Sequence, residues 1–374
     1  MQPGPPTTSP APPARPPLRP VSRRYRADLP LTEAALDTVR RCWDAAALPA
    51  PERAGALALL EWMCRSWGRT PLGGTAFRST VAIDGSPFEP SIAWHGDDVE
   101  LRCSIESLGA VPTAAAGQTA GWELTRLLGA EFGAQAGPCL ALAELFTVPE
   151  PRGLFTIWHG VAWRAGAAPL FKVYLDPQAG GPERAGPVLD EAMRRLGVRT
   201  AWRRLADHVG GIGGPGRIPV GLALDLAGAA SRVKVYLGHA GADAAAIDRY
   251  AAVARGHVPG AFTEVLRATA GEGPRWPKQP VTVYEMTAGA EAPANATLYI
   301  PVLPAAGNDA VARDRMSAFI RSVGGDPAPY AAFLETVADR PLGETALHNF
   351  VSYRPAPPGG RPRFAAYLAP GLFG

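Results

Sequence analysis

One strand-like phrase recurs along the chain, and this repetition restricts the possible folds more than any other feature. Its clearest copy, residues 170–175, alternates apolar side chains with Lys172 and Tyr174, and a period of two is typical of a β-strand. Counted at the position of Lys172, five copies fall at residues 102, 172, 234, 297 and 365. Such a spacing indicates one supersecondary unit that is used five times.

Each unit combines a β-hairpin with a pair of helices. A second strand-like segment precedes each copy across a connection rich in Gly, Ala, Pro or Asp, which predicts a hairpin. Helical periodicity marks ten segments between the hairpins: residues 31–48 and 52–67, 119–132 and 139–146, 187–196 and 200–209, 243–255 and 261–270, and 310–323 and 329–337. Because closure removes exposed strand edges, we expect an α+β fold, a ten-stranded antiparallel β-barrel ringed by helices in five αα–ββ repeats.

The N-terminal segment differs in composition from the rest of the chain. Residues 1–28 contain nine prolines and cannot build a core, so a disordered or loosely extended N-terminal segment is predicted. The whole chain is 47% hydrophobic, enough for a sizeable core, and we expect residues 29–374 to form a single domain.

The alternation of the strands also predicts what faces the interior of the barrel. If helices cover the outside, the apolar strand faces must point outward, and the polar faces must point into the lumen. Ten strands leave more room than eight, whose side chains just fill a barrel, so a cavity is expected. Cations that line this cavity would be costly to bury without an anion.

Two sets of side chains are predicted to share the lumen. Four hairpins contribute up to five cations, namely Arg102, Lys172, Arg232, Lys234 and Arg363, with Arg354 and Arg361 as alternatives to the last. Four tyrosines lie two residues beyond the repeated position: Tyr174, Tyr236, Tyr299 and Tyr367. An aromatic face stabilises a cation by about 0.5–2 kcal/mol. A polyanion site beside such faces suits the departure of diphosphate from an allylic carbon.

Other functional classes receive no support from the sequence. A net charge of +3 without a Lys/Arg-rich run argues against nucleic acid, and six histidines without zinc-site spacing argue against a metal centre. Four scattered cysteines are interpreted as buried, reduced thiols. Without a signal peptide or a long apolar run, we expect a cytoplasmic protein that is independent of membranes, either a monomer or a homodimer.

The chain resembles the aromatic prenyltransferases of the dimethylallyltryptophan synthase type, in particular their bacterial members that act on indoles. The similarity is carried by five stretches in the same order, at residues 86–89, 171–175, 232–237, 298–302 and 361–367. It implies an αββα barrel that transfers a dimethylallyl group from dimethylallyl diphosphate to the indole of L-tryptophan or a small derivative. The reaction would be an electrophilic aromatic substitution that needs no cofactor and no obligatory Mg²⁺.

The resemblance also implies roles for the luminal residues. The five cations would hold the diphosphate, the four tyrosines would shield the allylic cation from water, and Glu89 would accept a hydrogen bond from the indole N–H. A salt bridge from Glu89 to a luminal arginine is the alternative for that carboxylate. Prenylation of tyrosine or another phenol, and a non-catalytic barrel that binds an isoprenoid or aromatic ligand, are the alternative functions.

Two positions depart from the family pattern. Ala162 stands where relatives carry the base that removes the ring proton, which leaves Glu89, a tyrosine, water or the released diphosphate for that step. Thr297 stands where fungal relatives carry an amide side chain, so the diphosphate contact there is expected to be weaker.

Overall fold

A computed structural model describes residues 18–214, 216–228, 231–273, 275–357 and 359–374, and its central feature is a closed barrel. The strands are Phe88–His95 (β1), Asp98–Glu106 (β2), Ile157–Trp163 (β3), Leu170–Leu175 (β4), Ile218–Asp225 (β5), Val233–Gly238 (β6), Val281–Met286 (β7), Asn295–Ile300 (β8), His348–Arg354 (β9) and Arg363–Leu368 (β10). Each strand pairs antiparallel with its neighbours in the chain, and β10 closes the barrel on β1. The predicted ten-stranded barrel is confirmed.

Helices surround the barrel between the hairpins. They are Leu31–Ala45 (α1), Ala50–Met63 (α2), Ala114–Phe132 (α3), Gly137–Leu140 (α4), Ala143–Phe146 (α5), Ala185–Arg195 (α6), Arg199–His208 (α7), Ala244–Ala251 (α8), Ala261–Thr269 (α9), Val302–Ala306 (α10), Asp309–Ser322 (α11) and Ala328–Val337 (α12). The ten predicted helical segments are all present, but the one at residues 139–146 divides into the single turns α4 and α5. The short α10 was not predicted.

The hydrophobic core lies between the outer face of the barrel and the helices. Val173 on β4 and Trp94 on β1 are buried on this outer face, as the alternation predicts. The Trp94 ring stacks at 6.3 Å on Tyr330 of α12, and the Trp94 indole N–H donates to the carbonyl of Asp326 at 2.9 Å. Because the apolar side chains of the strands are used here, the inner faces are free to carry polar residues.

The segment before α1 is ordered over a longer stretch than the sequence predicts. Residues 1–17 lie outside the described residues, but Leu18 is buried and the Val21 N–H donates to the carbonyl of Leu372 at 2.9 Å. The Ser22 hydroxyl donates to Asp339 at 2.9 Å. Partners at the C-terminal end of the chain, which local composition does not reveal, therefore hold the backbone in this part of the segment.

Two further expectations concern cysteines and membranes. All four cysteines are buried and free, as predicted. In the part of the chain that the structure describes, no helix combines the length and the apolar character that crossing a bilayer requires.

Candidate active site

The barrel lumen holds two neighbouring cavities that share the side chains of Tyr299 and Tyr367. The smaller, of about 60 Å³, is named here the charged pocket and is lined by Arg102, Lys172, Arg232, Lys234, Arg354 and Arg363. The larger, of about 400 Å³, is named the aromatic cavity and is lined chiefly by Glu89, Trp158, Lys278, Asn349, Phe350 and the four predicted tyrosines. The lumen is thus divided into a cationic end and an apolar end.

The charged pocket brings together all five cations that the sequence predicted. Arg102 lies on β2, Lys172 on β4 and Lys234 on β6. Arg232 directly precedes β6, and Arg363 is the first residue of β10. Arg354, considered only as an alternative to Arg363, lines the pocket as well.

Arg361, the other alternative to Arg363, does not belong to the pocket. Its side chain is 65% exposed and lies 3.6 Å from Asp97 in the turn between β1 and β2.

Three carboxylates that the sequence analysis missed lie among these cations. Asp225 is 3.6 Å from the Lys172 ammonium and accepts from Arg232 Nε at 2.5 Å. Glu285 lies 3.6 Å from the Lys234 ammonium, and Glu100 forms ion pairs with Arg102 and, at 3.7 Å, with Arg363. The period-two pattern could have found two of them, because Glu100 stands two residues before Arg102, and Glu285 continues the inward face of β7.

The charges in this pocket do not cancel. Six cations face three carboxylates, which leaves a formal surplus of three positive charges (six minus three). Burial and the neighbouring cations Lys234 and Arg102 hold the pKa of Lys172 well below its usual value. Burial and Arg232 likewise lower the pKa of Lys234 to about 8. An arriving polyanion would relieve this repulsion and raise the pKa values of both lysines, which favours their charged forms.

The four predicted tyrosines form a continuous aromatic row at the junction of the cavities. Ring centroids are 6.1 Å apart from Tyr174 to Tyr236, 5.8 Å from Tyr236 to Tyr299, and 5.1 Å from Tyr299 to Tyr367. The Tyr299 and Tyr367 hydroxyls are 2.7 Å apart, and Arg102 Nη1 lies 3.5 Å from the Tyr367 hydroxyl. Burial raises the phenol pKa values of Tyr174, Tyr236 and Tyr299, so these rings stay neutral at physiological pH.

Glu89 lies in the wall of the aromatic cavity, on β1, and is only 5% exposed. It accepts a hydrogen bond from the Asn349 side-chain amide at 2.5 Å. Burial raises the pKa of this carboxyl to about 8, although the Asn349 hydrogen bond and the Lys278 charge oppose the shift. Among the described residues no ion pair includes Glu89, so the alternative of a salt bridge to a luminal arginine is not what the structure shows.

Lys278 and Asn349 were not singled out in the sequence. The Lys278 ammonium donates to the Asn349 carbonyl at 2.7 Å, contacts the Asn349 side-chain oxygen, and lies 3.8 Å from the centre of the Phe350 ring. Both residues stand outside the repeated phrase, Lys278 in the connection before β7 and Asn349 near the start of β9. The repeat therefore gave no signal for them.

The structure also locates Ala162 and Thr297, the two residues that depart from the family pattern. Ala162 is buried on β3 opposite Arg102 and Leu170, and its side chain cannot take a proton. His159 lies three positions earlier on the same strand. Its ring nitrogen Nε2 forms a 2.8 Å hydrogen bond with the Thr125 hydroxyl of α3, so the ring points away from the lumen. Thr297 lines the charged pocket with a short side chain.

A third cavity, of about 390 Å³, adjoins the aromatic cavity and shares Thr80, Leu154 and Phe155 with it. Among the described residues there is no group of three or more His, Cys, Asp or Glu side chains that could hold a metal ion. The ionisable groups that line the lumen are its cations, its phenols and the carboxyls of Glu89, Glu100, Asp225 and Glu285.

A ten-stranded barrel that joins a cationic pocket to an aromatic cavity defines the class of aromatic prenyltransferases. The family model described as tryptophan dimethylallyltransferase matches residues 57–331. The chain belongs to this family, and it is a prenyltransferase.

Solved structures show the same similarity over nearly the whole chain. The 6-dimethylallyltryptophan synthase from Micromonospora olivasterospora, in complex with DMASPP and Trp, matches with a TM-score of 0.82 and 28% identity, over 91% of this chain and 98% of that chain. The 5-dimethylallyltryptophan synthase from Streptomyces coelicolor, in complex with the same two ligands, matches with a TM-score of 0.82 and 26% identity, over 92% and 96%. The ternary complex of the prenyltransferase PriB with L-tryptophan and dimethylallyl thiolodiphosphate matches with a TM-score of 0.81 and 27% identity, over 91% and 96%.

Proposed function

We propose that this enzyme transfers a dimethylallyl group from dimethylallyl diphosphate to the indole ring of L-tryptophan or a small tryptophan derivative. The observation that carries the proposal is the contact between the charged pocket and the aromatic cavity across Tyr299 and Tyr367. Related enzymes that are 26–28% identical over more than nine-tenths of the chain bind tryptophan together with a dimethylallyl diphosphate analogue.

The charged pocket would bind the diphosphate and promote its departure. Arg102, Lys172, Arg232, Lys234 and Arg363 would donate hydrogen bonds to the phosphate oxygens, and Arg354 adds a sixth cation. The C–O bond of the donor breaks, and its electron pair leaves with the diphosphate, whose growing charge meets the surplus of positive charge. These side chains supply the charge that Mg²⁺ would otherwise provide, so the reaction is proposed to proceed without an obligatory metal.

The tyrosines would protect the allylic cation after ionisation. Their faces offer negative charge density without a nucleophilic anion, because the phenols stay protonated. The aromatic cavity, of about 400 Å³, falls in the usual size range for small-molecule sites. An indole held there would meet the cation at the tyrosine row before water does.

The acceptor would be oriented by Glu89. Its carboxylate would accept a hydrogen bond from the indole N–H, which enriches the ring in electrons and fixes the carbon that faces the cation. A new C–C bond then forms, and the ring proton passes to the released diphosphate or to Glu89, since Ala162 offers no base. The adjoining third cavity gives room for a substituent on the acceptor, and derivatives of tryptophan are therefore included.

The test is an incubation of the purified protein with dimethylallyl diphosphate and L-tryptophan, with and without a chelator, followed by mass spectrometry. A prenylated tryptophan in equal yield under both conditions is expected. Parallel incubations with L-tyrosine and simple phenols address the alternative acceptors, and a product from these alone would contradict the indole assignment. Tight binding of both ligands without any product would instead support the non-catalytic barrel.

A further inference from the structure

Lysine is rare in this chain, and its placement is selective. Among 37 cationic residues only three are lysines: Lys172, Lys234 and Lys278. Two of them line the charged pocket, and the third lines the aromatic cavity. On a solvated surface arginine and lysine are largely exchangeable, but a compact ammonium with a tunable pKa differs from a planar guanidinium at a buried site. The position of Lys278 therefore indicates a ligand, as do those of the other two.

Lys278 differs from the other two lysines in having no carboxylate within ion-pair distance among the described residues. Lys172 and Lys234 each lie 3.6 Å from a carboxylate, whereas no ion pair among the described residues includes Lys278. Its ammonium contacts two neutral oxygens of Asn349 and the face of Phe350. A partly buried cation with only neutral partners is stabilised when a ligand brings a negative charge.

Asn349 fixes the spacing between this ammonium and Glu89. The amide oxygen faces Lys278, and the amide nitrogen donates to Glu89 at 2.5 Å. One amide group thus lies between the Lys278 ammonium nitrogen and the Glu89 carboxyl oxygen. Two hydrogen bonds and the width of the amide add up to roughly 7 Å, which is the largest distance between these two atoms. In tryptophan the indole nitrogen and the carboxylate carbon are separated by roughly 5–6 Å of covalent structure. The two ends of one amino acid can therefore meet the two groups together.

We propose that Lys278, held by Asn349, binds the carboxylate of the amino-acid acceptor while Glu89 binds its indole N–H. This inference rests on the proposed function, since it assumes an indole amino acid in the aromatic cavity. The pair would select acceptors that carry a carboxylate at the distance of tryptophan. Lys278 is thus a specificity-determining residue rather than a participant in bond formation.

The experiment compares L-tryptophan with tryptamine, which keeps the indole and the amine but lacks the carboxylate. Lys278→Met should raise the KM for L-tryptophan about ten- to a hundredfold, the size expected when one charge-assisted hydrogen bond is lost. With tryptamine, kcat/KM should stay within about threefold of the wild-type value, which also shows that the variant is folded. Lys278→Arg should recover part of the preference for tryptophan.

Arg275→Met provides a matched control, because it removes an exposed cation from the same connection and lines neither cavity. It should leave both substrates unaffected. If Lys278→Met impairs tryptophan and tryptamine equally, Lys278 acts in folding or proton transfer, and the proposal is overturned. An unchanged KM for tryptophan overturns it too.

A binding measurement separates this inference from the proposed function. If the wild-type protein prenylates neither indole, the proposed function fails, and calorimetric titration of L-tryptophan into wild type and Lys278→Met then decides the inference alone. Weaker binding by the variant supports it, and equal affinity contradicts it. With only three lysines, ¹³C-methyl NMR after reductive methylation gives a second readout. The Lys278 signal should titrate at higher pH with L-tryptophan bound but not with tryptamine.

Discussion

The two ends of the barrel lumen are built by the same strands, yet one end is lined mainly by charged side chains and the other mainly by aromatic ones. On β4, Lys172 lies in the charged pocket and Tyr174 in the aromatic cavity, and on β6 the same holds for Lys234 and Tyr236. Two residues along a strand, about 7 Å, therefore separate a site for a polyanion from a site for a carbocation. The alternation of a strand, repeated around a barrel, is sufficient to build both.

The two ends also differ in what sets the pKa values of their charged groups. In the charged pocket, buried carboxylates neutralise half of the cations, and although burial opposes the shift, Arg102, Lys172 and Arg363 hold the pKa of Glu100 far below its usual value. In the aromatic cavity, burial dominates and brings the pKa values of Glu89 and Lys278 to about 8. The carboxylates and guanidinium groups of the first end thus keep their charges near neutral pH. The lysines of that end, like Glu89 and Lys278 at the second end, can change protonation there.

The largest effect is expected at the charged pocket. Lys172→Ala or Lys234→Ala should lower kcat/KM by about a thousandfold or more, because each removes a preorganised charge from the leaving group. Steady-state kinetics with tryptophan and dimethylallyl diphosphate provide the measurement. Arg194→Ala, which removes an exposed cation on α6, should change nothing. Full activity in both lysine variants would contradict the assigned role of the pocket.

The sequence predicted this end of the lumen well, for a physical reason. A strand alternates its side chains strictly, and the repeat fixed which face was internal, so Lys172, Lys234 and the four tyrosines could be placed together before any coordinates. The same rule could have found Glu100 and Glu285, which share the inward face.

The aromatic cavity was less predictable, because some of its polar side chains, namely Thr80, Lys278 and Gln279, come from chain segments outside the repeated hairpins. Lys278 precedes β7 in an irregular connection, and only the folded barrel brings it to Asn349. The order of residues 18–28 depends in the same way on contacts with the C-terminal end, some 350 residues away in the chain. Local pattern specifies alternation and helix periodicity, but it does not specify which distant loops will meet.

An effect of intermediate size is expected from Glu89, and it depends on pH. The ionised carboxylate is the stronger acceptor for the indole N–H, so the ratio of kcat/KM between the wild type and Glu89→Gln should rise as pH increases through about 8. Tryptamine is the acceptor of choice for this profile, because Lys278 loses its proton in the same range. Glu89→Gln should lower kcat/KM about a hundredfold and flatten the profile. An unchanged pH dependence in this variant would show that another group titrates.

The raised pKa of Glu89 also predicts how the free energy of unfolding depends on pH. Between pH 4.5 and about 8 the folded state keeps a proton on Glu89 that the unfolded state has released. The contribution of Glu89 to the free energy of unfolding therefore falls as pH rises through this window. Denaturant unfolding at pH 5 and pH 9 should show a smaller loss of stability in Glu89→Gln than in the wild type. Equal losses would mean that Glu89 is already ionised in the fold.

The smallest effects are expected at the tyrosine row, where the two ends meet. Replacing Tyr174 or Tyr236 by Phe keeps the aromatic face, so kcat/KM should change only a few-fold, whereas replacement by Leu removes a contribution of about 0.5–2 kcal/mol to the cation. In the Leu variants a larger share of the donor should end as dimethylallyl alcohol, because water then reaches the cation. The ratio of alcohol to prenylated indole is the quantity to measure, since a merely structural tyrosine would lower both products together. A constant ratio across the Phe and Leu variants would assign these rings to the packing of the barrel and leave the charged pocket alone responsible for the ionised donor.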